Sequence, residues 1–567
     1  MRARILPLIT AVVHLSGCIA PAQSPVDVDA FVPPSGTTLT KGIRSVDLLV
    51  VVDNSGGMGA EQQGLRAEFP ALLAALRRLP EGFPDLHLGV TTTDLGTGRF
   101  PIPHCEEPGG DAGLLVTGSC SNPMGGSPYL IDVQARGCEI TREVGSNHCV
   151  SHGCGPQHCE HEPTSFFVQD AVTGCPRCRN YDTQTLADAF SCLADVGEDG
   201  YGFEQPLEAM FKALDDQSGA NAGFVRPDAS LTVLLLVDED DCSASNPELY
   251  NDTQTDMSSP LGPLQSYRCF EFGVTCDIND RTHVGTRHNC VPREDNAALL
   301  VSLDRYEQDL RALKEPRMLF VAAIAGPVTD SANGVGFDVE VVRDSQDHPV
   351  LGNACSGPGE DGATAGIRIH SFVSRFQTPD DLASWAFSSS CANSFVPPLA
   401  ALGGRLAEEA TIGCVGAPLA GCVDPGVVSG TPQAPQRCET NSRCQPRCVV
   451  TRIHGGGLIE TTYEAAPPCL EVCVDGPCPG NADTTLAYAA GHPQPLDPSL
   501  PVSACWHIEY NPLCARSNGA RLLLARQSGG THVAVSCDHI PRREENCADA
   551  ADNDEDCLVD LEDPDCE

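Results

Sequence analysis

A few oxygen-bearing side chains on short turns define the chemistry open to this chain. Asp53 and Ser55 stand two residues apart in the turn Asp53-Asn54-Ser55-Gly56-Gly57, and Asp238 opens the run Asp238-Glu239-Asp240-Asp241-Cys242. Glu204 and Gln205 lie in a third turn, GYGFEQP. Carboxylates and hydroxyls are hard donors, suited to Mg²⁺, Ca²⁺ or Mn²⁺. Near the end of the sequence Asp552, Asp554, Asp556 and Asp560 fall at positions 1, 3, 5 and 9 of a short segment. Alternate oxygens on a curled loop can wrap one Ca²⁺. His148, Cys149, His152, Cys154, His158, Cys159 and His161, with Cys175-x-x-Cys178 beyond, form a different set. Its spacing suits zinc or copper, or disulfides if the compartment is oxidising.

The first acids follow elements able to hold them in place. Six of the seven residues in Val46–Val52 are apolar, Asp47 being the exception. Such a run, closed by a Gly-rich turn, predicts a buried parallel strand that carries Asp53 to the carboxyl edge of a sheet. Open α/β sheets bind ligands at that edge. LTVLLLV, residues 231–237, predicts a second such strand ending in Asp238. Leu86, Leu88 and Val90 alternate in another strand, and Met318–Ala325 predicts one more. Between the strands, Leu65, Phe69, Leu72, Leu76 and Leu79 recur at helical spacing, with Pro70 kinking the helix. Phe203, Leu207, Met210, Phe211 and Leu214 predict a second helix, and Leu299, Leu303, Tyr306, Leu310 and Leu313 a third. A last helix near 396–410 takes Pro397 or Pro398 in its first turn, where proline is tolerated. This alternation over 41–410 predicts an α/β domain with a doubly wound, mostly parallel sheet. Residues 96–184, with eight cysteines and many Gly and Pro, predict a disulfide-stapled insertion.

The segment VDLLVVVDNSGGM resembles the first metal-site motif of von Willebrand factor A domains, Asp-x-Ser-x-Ser after a hydrophobic strand. The later strand that ends in Asp238 stands where that family completes its site. The resemblance covers about 40–410. It implies a Mg²⁺ (or Ca²⁺ or Mn²⁺) adhesion site held by Asp53, Ser55 and Asp238. It also implies a protein or matrix partner whose carboxylate fills an open position on the cation. Two places depart from the pattern. Gly57 stands at the third motif position, so water would fill that place. Glu204 and Gln205 occupy the loop where the family has a Thr. Glu204, facing the site, would add charge and favour Ca²⁺ or Mn²⁺. Asp240, in the same acidic run, is a further candidate ligand. The competing reading of 238–241 is a solvated turn, but four acids facing Asp53 repel without a cation. The string Asp53–Gly57 also looks like the GDSGG of serine proteases. Val52 precedes it, the strand context is wrong, and no segment supplies a base.

The first residues suggest export. Arg2 and Arg4 precede the apolar run Ile5–Val13, which is too short to span a bilayer. Leu15-Ser16-Gly17-Cys18 resembles a bacterial lipobox, which implies a signal peptide over 1–17 and a lipid on Cys18 as the membrane anchor. Ile19, rather than Asp, then implies sorting to the outer membrane. Residues 18–40 are rich in Pro, Ser and Thr and predict a flexible tether. Thirty cysteines, less Cys18, leave an odd number. Such density in an exported chain predicts a disulfide framework with at least one cysteine left over. A net charge of −42 argues against nucleic acid and anionic lipid as partners.

Residues 411–540 change character, with frequent cysteines and two hairpin signals, at Gly455–Gly457 and at Gly529–Gly530. They predict a small Cys-rich β domain. Residues 541–567 form the acidic tail, whose loop resembles the DxDxDGxxD of calcium-binding repeats with Cys557 in place of Gly. A disordered acidic tail is its competing reading. No HExxH, GxSxG, Walker loop or dinucleotide fingerprint is present in the sequence. The expectation is a non-enzymatic surface lipoprotein that binds a partner through a metal-dependent site. The alternatives are an envelope metalloenzyme using the His/Cys cluster at 148–161, or a purely structural envelope protein.

Overall fold

A computed structural model describes residues 45–410 and the backbone of strands between Cys448 and Cys537. Within 45–410 it does not describe 80–81, 101, 103–104, 106, 118–126, 143–147, 160–165, 171–172, 183–184, 216–218, 228, 296, 315, 358–361 and 378–381. Cys18, the tether and the acidic tail with Asp552, Asp554, Asp556 and Asp560 lie outside the described residues. So do His161 and the first residues.

The architecture is mixed α/β around one eight-stranded sheet. Its strands lie in the order Phe387–Ser389, Leu319–Ala325, Ser230–Leu236, Ser45–Val52, Asp85–Thr92, Leu130–Gln134, Pro176–Arg179 and Phe166–Gln169. The first five run parallel. The last three are antiparallel to their neighbours. Ser45–Val52 is central and every residue in it is buried, as its near-continuous apolar run requires. From it the chain passes through helices to Asp85–Thr92 on one side, and later returns through helices to Ser230–Leu236 on the other. The carboxyl ends of Ser45–Val52 and Ser230–Leu236 therefore flank the point where the strand order reverses.

Two expectations are corrected here. The helix expected to bend at Pro70 is two helices, Gly59–Glu68 and Pro70–Leu76, joined at Phe69. Pro70 occupies the first position of the second helix, where its missing N–H has no partner to lose. The insertion at 96–184 does more than staple an excursion: it supplies the three antiparallel strands of the main sheet. Asp132 is 2% exposed and accepts from Arg177 Nε at 2.7 Å, Arg179 Nε at 2.9 Å and the Tyr181 hydroxyl at 2.8 Å. Burial pushes the Asp132 carboxyl up, but the two guanidinium groups outweigh it and hold the acid below its ordinary value. Cys138–Cys154, Cys149–Cys175 and Cys159–Cys178 fasten this region.

The three other expected helices form near their expected places, while Leu186–Leu193 and Ile367–Ser374 were not expected. Pro206–Asp215 buries Leu207, Met210 and Leu214. Leu303–Leu313 begins at a Ser302 cap, and Val396–Ala410 carries both prolines in its first turn. A smaller five-stranded sheet contains Val274–Thr275, Gly285–Pro292, Thr329–Asp330, Phe337–Arg343 and Pro349–Leu351. Beside it runs the short helix Tyr267–Gly273, which carries Arg268 and Cys269.

In the region after 410, Cys448–His454 pairs antiparallel with Thr462–Ala466, the hairpin expected around Gly455–Gly457. The hairpin expected around Gly529–Gly530 does not form. Ala520–Ala525 pairs with Cys505–Tyr510, and His532–Cys537 pairs with Cys448–His454. A Gly-Gly turn marks a chain reversal but does not choose the partner strand. No helix among the described residues is long and apolar enough to cross a membrane.

Candidate metal centre

The strand ladder pairs Val52 with Leu236, and the amide of Asp53 donates to the Leu236 carbonyl at 2.9 Å. The two strands therefore release Asp53 and Asp238 side by side. Glu204 comes from the loop before the helix Pro206–Asp215 and is 3% exposed. Asp53, Glu204 and Asp238 each offer a carboxylate oxygen, and these oxygens lie within 4.8 Å of one another. Among the described residues no other group of three or more such side chains could hold a metal ion. Two oxygens on opposite sides of a Ca²⁺ are about 4.6–5.2 Å apart, so one cation can span the set.

The surroundings fix these acids without neutralising them. Asp53 is fully buried. Its Oδ1 accepts the Ser55 amide at 2.8 Å and the Thr93 hydroxyl at 3.3 Å. Gln62 Nε2 donates to the Asp53 carbonyl at 2.9 Å and to Gly197 O at 2.7 Å. The second oxygen of Asp53, Oδ2, has no hydrogen-bond partner, and neither does Glu204 Oε2 or Asp238 Oδ1. A buried carboxylate oxygen with no partner is costly. Three in one place leave two ways to relieve the repulsion, a proton or a cation.

The titration behaviour follows from this crowding. Burial raises Glu204 well above the ordinary carboxylate range, and Asp53 and Asp238 raise it further. Asp238 is pushed up to about 8, first by burial and then by Asp53, Glu239 and Glu61. Glu239 is pushed up to about 7 by burial and by Asp53, against the Ser266 hydroxyl, which donates to it at 3.4 Å. The charges that act most on Glu204 and Asp238 are all negative. An all-oxygen set of this charge fits a hard divalent cation.

Of the candidates from sequence, Asp53, Glu204 and Asp238 come together, and Ser55 is buried beside Asp53. Asp240 does not join them. Its oxygens accept the amides of Arg368 at 2.9 and 3.0 Å and of Ile369 at 3.1 Å, which caps the helix Ile367–Ser374. Burial still pushes it up to about 6. Gln205 is also structural, donating to Gly96 O at 2.9 Å and to the Tyr201 hydroxyl at 2.7 Å. Thr93, Glu61 and Glu239 were missed as contributors to the site. Thr93 ends the TTT that closes the second strand, a polar strand end at the same sheet edge.

Gly57 has a conformational reason to be glycine. Its φ is 110°, and its amide donates to Glu198 Oε1 at 3.2 Å, as does that of Gly59. The second serine of the resembled motif, its third position, is therefore replaced by a turn that a side chain would strain.

The His/Cys cluster is drawn apart by its disulfides. Cys149, Cys154, Cys159, Cys175 and Cys178 are all paired with other cysteines of the insertion. His148 and His152 are exposed, and His158 lies against the Gly155 backbone. Compared with protein-family models and with the sequences of curated proteins, the chain matches none.

Proposed function

We propose that this chain is an exported, lipid-anchored binding protein whose α/β domain carries a divalent-cation adhesion site. The observation that carries the reading is the carboxylate set Asp53, Glu204 and Asp238, within 4.8 Å at the sheet's switch point, each with an unpartnered oxygen. Asp53, Glu204 and Asp238 would hold Ca²⁺, Mg²⁺ or Mn²⁺, with Ser55 beside them. Asp238 is only partly buried, and a partner would approach from its side. A protein or matrix partner would supply a further oxygen, from a carboxylate. The reading is a binding function, in which the oxygens of the site hold the cation. Resemblance to the von Willebrand factor A motif supports it, as does the parallel sheet that presents both acids from adjacent strands. The cysteines that the enzyme alternative would use as metal ligands, Cys149, Cys154, Cys159, Cys175 and Cys178, are paired in disulfides.

The test is titration calorimetry of the purified, chelator-treated chain with Ca²⁺, Mg²⁺ and Mn²⁺. Binding of one ion by wild type and none by Asp53→Ala, with unchanged circular dichroism, is the expected outcome. Equal binding by Asp53→Ala would remove the site. Anchoring is tested separately by membrane fractionation of Cys18→Ser, which should become soluble.

A further inference from the structure

We propose that the disulfide Cys242–Cys269 is a positioning element of the carboxylate site, and that the site's cation affinity depends on it. This rests on the cation-site reading above.

The five residues Asp238–Cys242 are tied one by one to different parts of the fold. The Asp238 carbonyl accepts the Thr364 amide at 2.9 Å. Glu239 accepts the Ser266 hydroxyl at 3.4 Å, and Asp240 caps the helix Ile367–Ser374. Asp241 accepts Arg368 Nη2 at 3.1 Å, Ser243 Oγ at 2.5 Å and the Leu207 amide at 3.3 Å. Cys242 closes the run. Its amide donates to the Glu204 carbonyl at 2.8 Å, its carbonyl accepts the Tyr250 hydroxyl at 2.8 Å, and its sulfur is bonded to Cys269. Both cysteines are buried, at 1% and 6% exposure.

Asp241 and Ser243 accept the Leu207 and Glu208 amides at 3.3 and 3.0 Å, and Cys242 is the residue of the run that bonds the backbone of Glu204 itself. Glu204 and Asp238 repel each other when both are charged, and separation of their two loops relieves that repulsion. The hydrogen bond between Cys242 and Glu204 resists separation only while Cys242 stays in place. Cys269, on the helix Tyr267–Gly273 next to Ser266, holds it there covalently. A preorganised ligand set binds more tightly because the closing cost is met by the fold. Loss of outer-shell support commonly lowers metal affinity about 10–100-fold.

The experiment compares three full-length proteins: wild type, the double variant Cys242→Ala/Cys269→Ala, and the control Cys276→Ala/Cys290→Ala. The control removes a disulfide of the smaller sheet, which also lies beside the helix Tyr267–Gly273 but is not bonded to the run Asp238–Cys242. Ca²⁺ affinity is read by calorimetry, and protection of the Cys242 amide by hydrogen exchange. Affinity should fall about 10–100-fold in the first variant, with loss of protection at Cys242, and stay within about twofold of wild type in the control. Unchanged affinity in the first variant, or an equal fall in both, overturns the proposal while leaving the cation site standing. A wild type that binds no divalent cation overturns both.

Discussion

Asp53 and Asp238 leave neighbouring parallel strands in register, so that their carboxylates and that of Glu204 come within 4.8 Å. This placement has a pH signature. Asp238 rises from 3.8 to about 8 and Glu239 from 4.5 to about 7 in the folded protein. An acid whose folded value is raised favours the fold below its unfolded value and loses that contribution as pH climbs through the folded one. Without a cation, stability should therefore fall between about pH 4 and pH 8. A bound cation offsets this fall, because it needs the charged forms. The melting temperature of chelator-treated protein should be lower at pH 8.5 than at pH 6, and added Ca²⁺ should abolish the difference. Glu204→Gln should shrink the fall. Identical cation-free melts at the two pH values would contradict the crowding of these acids.

The support beneath the site contains a buried ion pair whose loss can be measured. Arg368 and Asp241 are 1% and 0% exposed at the side chain, with Nη2 and Oδ2 3.1 Å apart. Arg368→Met would leave the buried Asp241 without its guanidinium partner, beside the Ser243 hydroxyl and the Leu207 amide. Breaking one side of such a pair costs about 3–5 kcal/mol. Denaturant unfolding of Arg368→Met should show a loss of that order. Pairing it with Asp241→Asn should restore part of the stability. A loss under about 1 kcal/mol would show that water or another group satisfies Asp241.

The strands that carry chemistry were legible because burial on both faces leaves an unmistakable apolar run. Val46–Val52 and 231–237 announce themselves, and the acid that follows each is placed by the chain alone. Direction is what the sequence does not encode locally. Asp238 and Asp240 are two residues apart, yet one faces Asp53 and the other caps a helix that starts 127 residues beyond it, at Ile367. Glu204 could be named only conditionally, since its approach depends on how a distant loop meets the sheet edge. The insertion strands were illegible for another reason. Their interior positions carry Asp132, Arg177 and Arg179, which satisfy one another in place of apolar side chains. Charged residues paired across two neighbouring strands remove the alternation on which strand recognition depends.

The acidic tail makes an independent prediction. Asp552, Asp554, Asp556 and Asp560 stand at alternate, loop-like spacing, with Cys547, Cys557 and Cys566 beside them. An oxidised peptide over 544–567 should bind Ca²⁺ weakly, with a Kd of about 10⁻⁴–10⁻³ M, the range of extracellular modules. Asp556→Ala should weaken it. Absence of a calorimetric signal at millimolar Ca²⁺ would return the segment to a solvated acidic tail.

Gly57 offers the sharpest contrast between motif and structure. Restoring the serine of the resembled pattern would add an oxygen at a place where the motif uses one for the cation. On composition alone, Gly57→Ser should tighten binding. The backbone argues the opposite. A φ of 110° is closed to serine without strain, and the Gly57 amide is held by Glu198 Oε1 at 3.2 Å. Strain of this kind costs about 1–3 kcal/mol, and relieving it would turn the loop that carries Asp53 and Ser55. Gly57→Ser should therefore lower the melting temperature and leave Ca²⁺ affinity equal to or weaker than wild type. A variant that binds more tightly at unchanged stability would mean that the turn relaxes at no cost, and that Gly57 is a lost ligand rather than a required hinge.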